Sequence, residues 1–129
     1  MSKGVFNVPV ATNEPVKSYE PGSAEREELL STYQAMYNST IDVPLYIGGE
    51  TIHTSEKINM VPPHDHQHVL GQYSMATAEH VNMAIDAALA AREKWGAMPW
   101  HQRVSIFLKA ADLLAGPFRA KINAATMLA

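Results

Sequence analysis

The densest group of reactive side chains is His64-Asp65-His66-Gln67-His68. If this run is extended, its three imidazoles fall at alternate positions on one side, a nitrogen set that suits zinc or nickel. The plainer reading is a polar turn between two strands with hydrated histidines, because one local cluster lacks the distant ligand that usually completes a metal site. Asp65 with Glu50 or Glu56 could form a general acid/base pair, yet solvated loop carboxylates are the commoner case. Gly48-Gly49-Glu50 has neither the P-loop pattern nor a G-x-G-x-x-G fingerprint, and reads as a hairpin turn. Trp95, Trp100 and Arg103 surround a helix junction, where a cation over an indole is one reading and a packed corner the other. Met36, Met60, Met75, Met83, Met98 and Met127 are too scattered for a soft-metal motif. There is no cysteine, which excludes a disulfide framework, a thiolate metal site and a thiol nucleophile within these residues.

The elements that must position these groups follow from periodicity. Residues 1–22 carry three prolines and no helical period, so they read as an extended arm that needs a partner surface. Ser23 is a suitable cap for a helix over 23–37, with Leu29, Leu30, Tyr33, Met36 and Tyr37 on its apolar face. Asn38 to Asp42 reads as a break. The period then changes to two, and hairpins are expected over 43–75: Val43–Ile47 with Glu50–Thr54, then Lys57–Val61 with His68–Tyr73. Pro62 and Pro63 belong at a strand end or in the connection.

Three amphipathic helices are expected over 77–129. Thr77 caps the first, whose stripe is Val81, Ala84, Ile85, Ala88, Leu89 and Trp95; Gly96, as a left-handed cap, and Pro99 stop it. Val104, Phe107, Leu108, Ala111, Leu114 and Ala115 form the second stripe, widened by Ile106, Ala110 and Leu113. So broad a face implies cover on more than one side. Gly116 closes this helix, Pro117 opens the third, and Phe118, Ile122 and Ala125 continue the period until the apolar stripe stops abruptly at Ala129.

Bulk properties narrow the class. The chain has 129 residues, 47% of them hydrophobic and 18% charged, with a formal charge of −3. One domain burying about two-thirds of its unfolded surface is within reach of that length. The mildly acidic balance gives no support to nucleic acid or anionic membrane as a partner, and no apolar run approaches the ~20 residues that span a bilayer. MSKGVFNVPV resembles neither a secretory signal nor a transit peptide, which makes the cytoplasm the expected compartment.

Three stretches carry the reading further. NEPVKSYEPGSAEREEL, VPLYIGGETIHTSEKINMVPPHDHQHVLG and the long run VNMAIDAALAAREKWGAMPWHQRVSIFLKAADLLAGPFRAKINAATML closely resemble the N-terminal region of the aldehyde dehydrogenase superfamily. GSAER and LLAGPFRA point to its 1-pyrroline-5-carboxylate branch. The resemblance implies an α/β parent enzyme that oxidises glutamate γ-semialdehyde to glutamate in proline catabolism. It implies a cysteine thiolate as nucleophile, NAD as hydride acceptor and a glutamate that activates water, all beyond Ala129. On this reading 1–22 is an N-terminal arm, and 23–129 is the first part of the NAD-binding domain, cut before the nucleotide-binding core. No catalytic, cofactor-binding or metal residue is then assigned here. The chain alone is expected to be inactive and to bind no NAD, and its partner is the rest of its own polypeptide, in a parent expected to form homo-oligomers. Its start at Met favours a parent with this single activity over one fused behind a proline dehydrogenase. The alternative is a stand-alone helical binding or oligomerisation module, with metal at His64, His66 and His68.

Overall fold

The computed structural model describes residues 4, 5 and 7–129, so the opening residues of the expected arm lie outside it. Helix α1 (Ala24–Tyr37) is followed by strands β1 (Ile41–Val43), β2 (Leu45–Ile47), β3 (Glu50–Ile52), β4 (Lys57–Met60) and β5 (Gly71–Ser74). Helices α2 (Ala78–Ala97), α3 (Trp100–Ala115) and α4 (Arg119–Leu128) complete the chain. Mixed helix and strand is the class expected from the change of period.

Both expected hairpins form. β2 and β3 pair antiparallel, with Ile47 opposite Glu50 across Gly48-Gly49. Those glycines have φ of 61° and 89°, the mirror-image turn whose twist matches a hairpin and which side chains other than glycine disfavour. β4 and β5 also pair antiparallel, from Lys57 opposite Ser74 to Met60 opposite Gly71. The returning strand begins at Gly71 instead of His68, because His68 is drawn into a turn beneath α1.

One strand departs from expectation. Residues 41–43 are not the end of a break: β1 pairs parallel with β5, giving a three-stranded sheet in the order β1-β5-β4. Pro44, which has no N–H to give a ladder, separates β1 from β2, and the two strands enter different sheets. Gly71 permits the parallel approach. A Cβ on it would stand 2.0 Å from the Ile41 carbonyl oxygen, and its φ is 150°. The buried Ser74 hydroxyl accepts the Thr54 N–H at 3.2 Å and ties the hairpin to the larger sheet.

The helix ends differ in detail. Ser23 occupies the N-cap position of α1, yet its Oγ is buried without a hydrogen-bond partner among the described residues. At α2, the Thr77 N–H donates to His80 Nδ1 at 3.0 Å, a reciprocal cap with an imidazole where glutamate is usual. Gly96 lies inside α2 and is no left-handed cap. The helix stops at Met98, whose extended backbone (φ −66°, ψ 133°) is what a following proline favours. Gly116 ends α3 at φ −102°, also outside the left-handed region. Pro117 sits in the turn, and α4 opens two residues later, at Arg119.

Packing centres on α1 against α4, with α3 touching α4 and α2 touching β2. The face that α4 buries is Ala120, Ala124 and Leu128, not the expected Phe118, Ile122 and Ala125. Two alanines one turn apart let the helices approach closely. α2 and α3 bury nothing fully: Val81 (53% exposed), Leu89 (58%), Phe107 (67%) and Leu114 (52%) stand in solvent. α2 and α3 thus leave their apolar stripes uncovered, while α1 covers the Ala120, Ala124 and Leu128 face of α4. Among the described residues no helix is long and apolar enough to cross a membrane.

Candidate functional site

The histidine run meets the last two turns of α1. Tyr33 and Tyr37, four residues apart on one helix face, both turn towards it. His64 Nε2 lies 3.0 Å from the Tyr33 hydroxyl. The His68 ring stacks flat on Tyr37, with centroids 3.9 Å apart and planes 4° from parallel. His68 Nε2–H donates to the Tyr37 carbonyl oxygen at 2.6 Å. A carbonyl can only accept, so this nitrogen carries the proton. It satisfies one of the carbonyls that the end of α1 leaves open, and α1 has no basic residue of its own in its last turn.

Asp65 joins the two elements from the other side. The Tyr37 hydroxyl donates to Asp65 Oδ2 at 2.8 Å, and the Gln67 N–H donates to Oδ1 at 3.2 Å. Tyr37's hydrogen bond, aided by backbone donors, holds the Asp65 carboxyl below the usual carboxylate range. The same bond to Asp65 raises the Tyr37 phenol above its ordinary value. Because the folded Asp65 pKa lies below the unfolded one, its stabilisation is present above the ordinary carboxylate range and lost as pH falls through the depressed value. Tyr37→Phe should therefore raise the Asp65 pKa towards that of a free aspartate and shift acid unfolding to higher pH. Side-chain carbon shifts of Asp65 followed by NMR titration give the readout, and an unmoved titration would discount the Tyr37 bond.

This geometry does not favour the metal reading. The run forms turns instead of a strand, so His64, His66 and His68 do not line one side. Two of the three rings are held by tyrosines, and among the described residues no group of three or more His, Cys, Asp or Glu side chains is arranged to hold a metal ion. Asp65 is joined to Tyr37, with no hydrogen bond to Glu50 or Glu56 among the described residues, so no acid/base pair forms there. Trp95 and Trp100 are 40% and 45% exposed and do not make a closed ligand box. Arg103 Nε is buried without a hydrogen-bond partner among the described residues.

A second polar group lies on the sheet. Lys57 Nζ donates to both Asp42 oxygens, at 2.8 and 2.7 Å, and His53 Nδ1 is 3.0 Å from Asp42 Oδ2. The Lys57 ammonium holds Asp42 below the carboxylate range. With its charge already matched by lysine, this carboxylate is a brace between β1 and β4, poorly suited to proton transfer.

The cavities among the described residues include two that lie away from this group. The larger, about 730 Å³, is apolar and lies between the end of α1, β1, β4 and α4, with Met36, Ile41, Met60, Leu70 and Leu128 in its wall. The smaller, about 450 Å³, lies where the arm crosses the α3–α4 corner. Arg119 Nη1 donates to the Pro15 carbonyl at 2.9 Å, and Asn123 Nδ2 donates to the Tyr19 hydroxyl at 3.0 Å. Tyr19, Arg119 and Asn123 were not legible as a group, since 104 residues separate each bonded pair. Tyr33 and Tyr37 were visible only as apolar positions of α1. None of these groups makes a catalytic constellation, and Gly48-Gly49 leads into β3 with no phosphate-binding helix after it.

Known proteins share both sequence and shape with this chain. A model described as the aldehyde dehydrogenase family matches residues 51–127. A delta-1-pyrroline-5-carboxylate dehydrogenase of Agaricus bisporus is 41% identical over 124 residues, which are 95% of this chain and 23% of that protein. The human mitochondrial protein of the same name is 40% identical over 116 residues, 90% of this chain and 21% of that one. The crystal structure of the Mycobacterium tuberculosis delta-pyrroline-5-carboxylate dehydrogenase bound with NAD and cobalamin superposes with a TM-score of 0.94 at 43% identity. It covers 99% of this chain, which covers 24% of it. The chain thus spans about a quarter of the length of these relatives.

Proposed function

Since the chain belongs to the aldehyde dehydrogenase family, we propose that it is the N-terminal portion of an NAD-dependent dehydrogenase that oxidises glutamate γ-semialdehyde to glutamate in proline catabolism. In that reaction the aldehyde carbon gains a water oxygen, its hydride goes to NAD, and two protons are released. The residues present carry their paired glycines in a hairpin turn, opening no helix. They contain no thiol either. The chemistry on this reading belongs to the remaining polypeptide, and the present residues are scaffold.

The observation that carries the proposal is the uncovered apolar surface of α2 and α3. Leaving Val81, Leu89, Phe107 and Leu114 about half exposed or more forgoes at least about half of the roughly 1.5–3 kcal/mol that fully burying each side chain would contribute. A surface of that kind on consecutive helices marks an interface, here with the rest of the same polypeptide. Residues 1–22 are then the arm, and 23–129 are the first part of the NAD-binding domain. The assembled enzyme is a homo-oligomer on this reading, and its compartment is the cytoplasm, although some relatives are named mitochondrial.

A full-length polypeptide containing these residues should produce NADH from NAD and the semialdehyde, whereas residues 1–129 alone should produce none. Turnover by residues 1–129 alone would overturn the scaffold assignment. A full-length protein inactive on this aldehyde but active on another would overturn the substrate. Cell fractionation and light scattering test the compartment and the assembly.

A further inference from the structure

Met75, Ala76 and Thr77 join β5, the middle strand of the larger sheet, to α2. The sheet side of this junction is pinned by backbone: the Met75 N–H donates to the Glu56 carbonyl at 2.9 Å. The helix side depends on a side chain. The Thr77 N–H donates to His80 Nδ1 at 3.0 Å, and the Thr77 hydroxyl lies 3.0 Å from the same nitrogen. The Val81 N–H closes the first turn onto the Thr77 carbonyl at 3.1 Å.

An amide N–H can only donate, so Nδ1 accepts with its lone pair and the ring proton sits on Nε2. Glutamate, the usual residue at this position of such a cap, keeps its acceptor down to about pH 4, whereas an imidazole does not. A proton on Nδ1 takes up the lone pair that holds the amide. The Thr77 hydroxyl can turn to accept the new N–H, but the amide has no lone pair and then faces like charge. The imidazolium would also stand in the first turn of a helix, where the dipole favours anions. Glu79 and Asp86 are the carboxylates of α2 nearest in sequence, and the hairpin packed on α2 carries Tyr46 and Glu50. Among the described residues the His80 ring hydrogen-bonds to Thr77 alone, and no carboxylate pairs with it.

From this geometry we infer that His80 makes the β5–α2 junction an acid-sensitive hinge, capped while the ring is neutral and frayed through the first turn of α2 once the ring is protonated. The frayed form binds a proton that the capped form excludes, so the cap is favoured as pH rises and lost as pH falls. The bonds concerned all lie within residues 77–81. The hinge therefore stands apart from the dehydrogenase reading and from whatever covers the apolar face of α2.

Amide hydrogen exchange on the full-length protein tests it, with His80→Gln as the comparison, because glutamine offers an acceptor that does not titrate. Comparing parent and variant at the same pH cancels the intrinsic exchange rate. The parent-to-variant ratio of protection at Thr77 and Val81 should fall about fivefold between about pH 8 and about pH 5.5, the contribution of one cap contact. The Met75 amide, on the sheet side, should keep its ratio. An unchanged ratio at Thr77 and Val81 would overturn the hinge, and so would an equal fall at Met75, which would mean that the sheet loosens with the helix. A second readout needs no variant: the ring-nitrogen NMR shifts of His80 at about pH 8 should show the proton on Nε2, and a proton on Nδ1 would equally overturn it. Neither measurement involves NADH production, so this test and the activity test fail separately.

Discussion

Gly71→Ala is expected to destabilise the full-length protein by about 3 kcal/mol or more, read as a fall in denaturant midpoint. The added methyl would sit 2.0 Å from the Ile41 carbonyl oxygen and 2.9 Å from the Ile41 nitrogen and carbonyl carbon, all of them backbone atoms. Backbone cannot turn aside as a flexible side chain does. The strand φ of 150° is also one that alanine rarely adopts. Relief requires β1 to leave β5, and with it go the pairs Asp42–Gln72 and Val43–Tyr73. Folded domains are stable by only about 5–15 kcal/mol, so a loss of this size should be visible in soluble yield as well. An alanine variant with an unchanged midpoint would mean that the parallel pairing of β1 is dispensable.

Phe107→Ala is the second large effect. Within these residues Phe107 is 67% exposed, and truncating it should then cost no more than about 0.5 kcal/mol. If the remaining polypeptide covers α3, the same change removes a buried aromatic and costs about 3 kcal/mol or more in the full-length protein. Equilibrium unfolding of the full-length variant separates the two readings, and a loss near zero would leave α3 facing water and the scaffold proposal without its main support. Glu93→Ala, on an exposed position of α2, serves as the comparison that should move little in either case.

How much was legible beforehand varies by element. The helices were plain in the stripes from Val81 to Leu89 and from Val104 to Leu114, and the β2–β3 turn was plain in Gly48-Gly49. These are local signals: a 3.6-residue period, a two-residue turn and a proline stop act within a few residues of each other. The lack of a thiol was equally plain, since no fold can supply one. Ends were less secure. Gly96 looks like a left-handed cap in the sequence, yet Pro99 already dictates where that helix stops, and neither Gly96 nor Gly116 adopts a positive φ.

What the sequence settled by itself was the mixture of helix and strand, the apolar stripes of α2 and α3, and a likeness to one enzyme family spread over most of the chain. Only the tertiary structure decided that β1 pairs with β5, that His68 lies against Tyr37 instead of beside His64 and His66, that α4 turns Ala120 and Ala124 inwards, and that Arg119 and Asn123 hold the arm. Each of those outcomes joins residues from about 30 to 104 positions apart. Closing loops of that length costs an entropy that depends only weakly on which residues meet. The choice of partner therefore rests on shape and hydrogen-bond complementarity, which a local period does not encode.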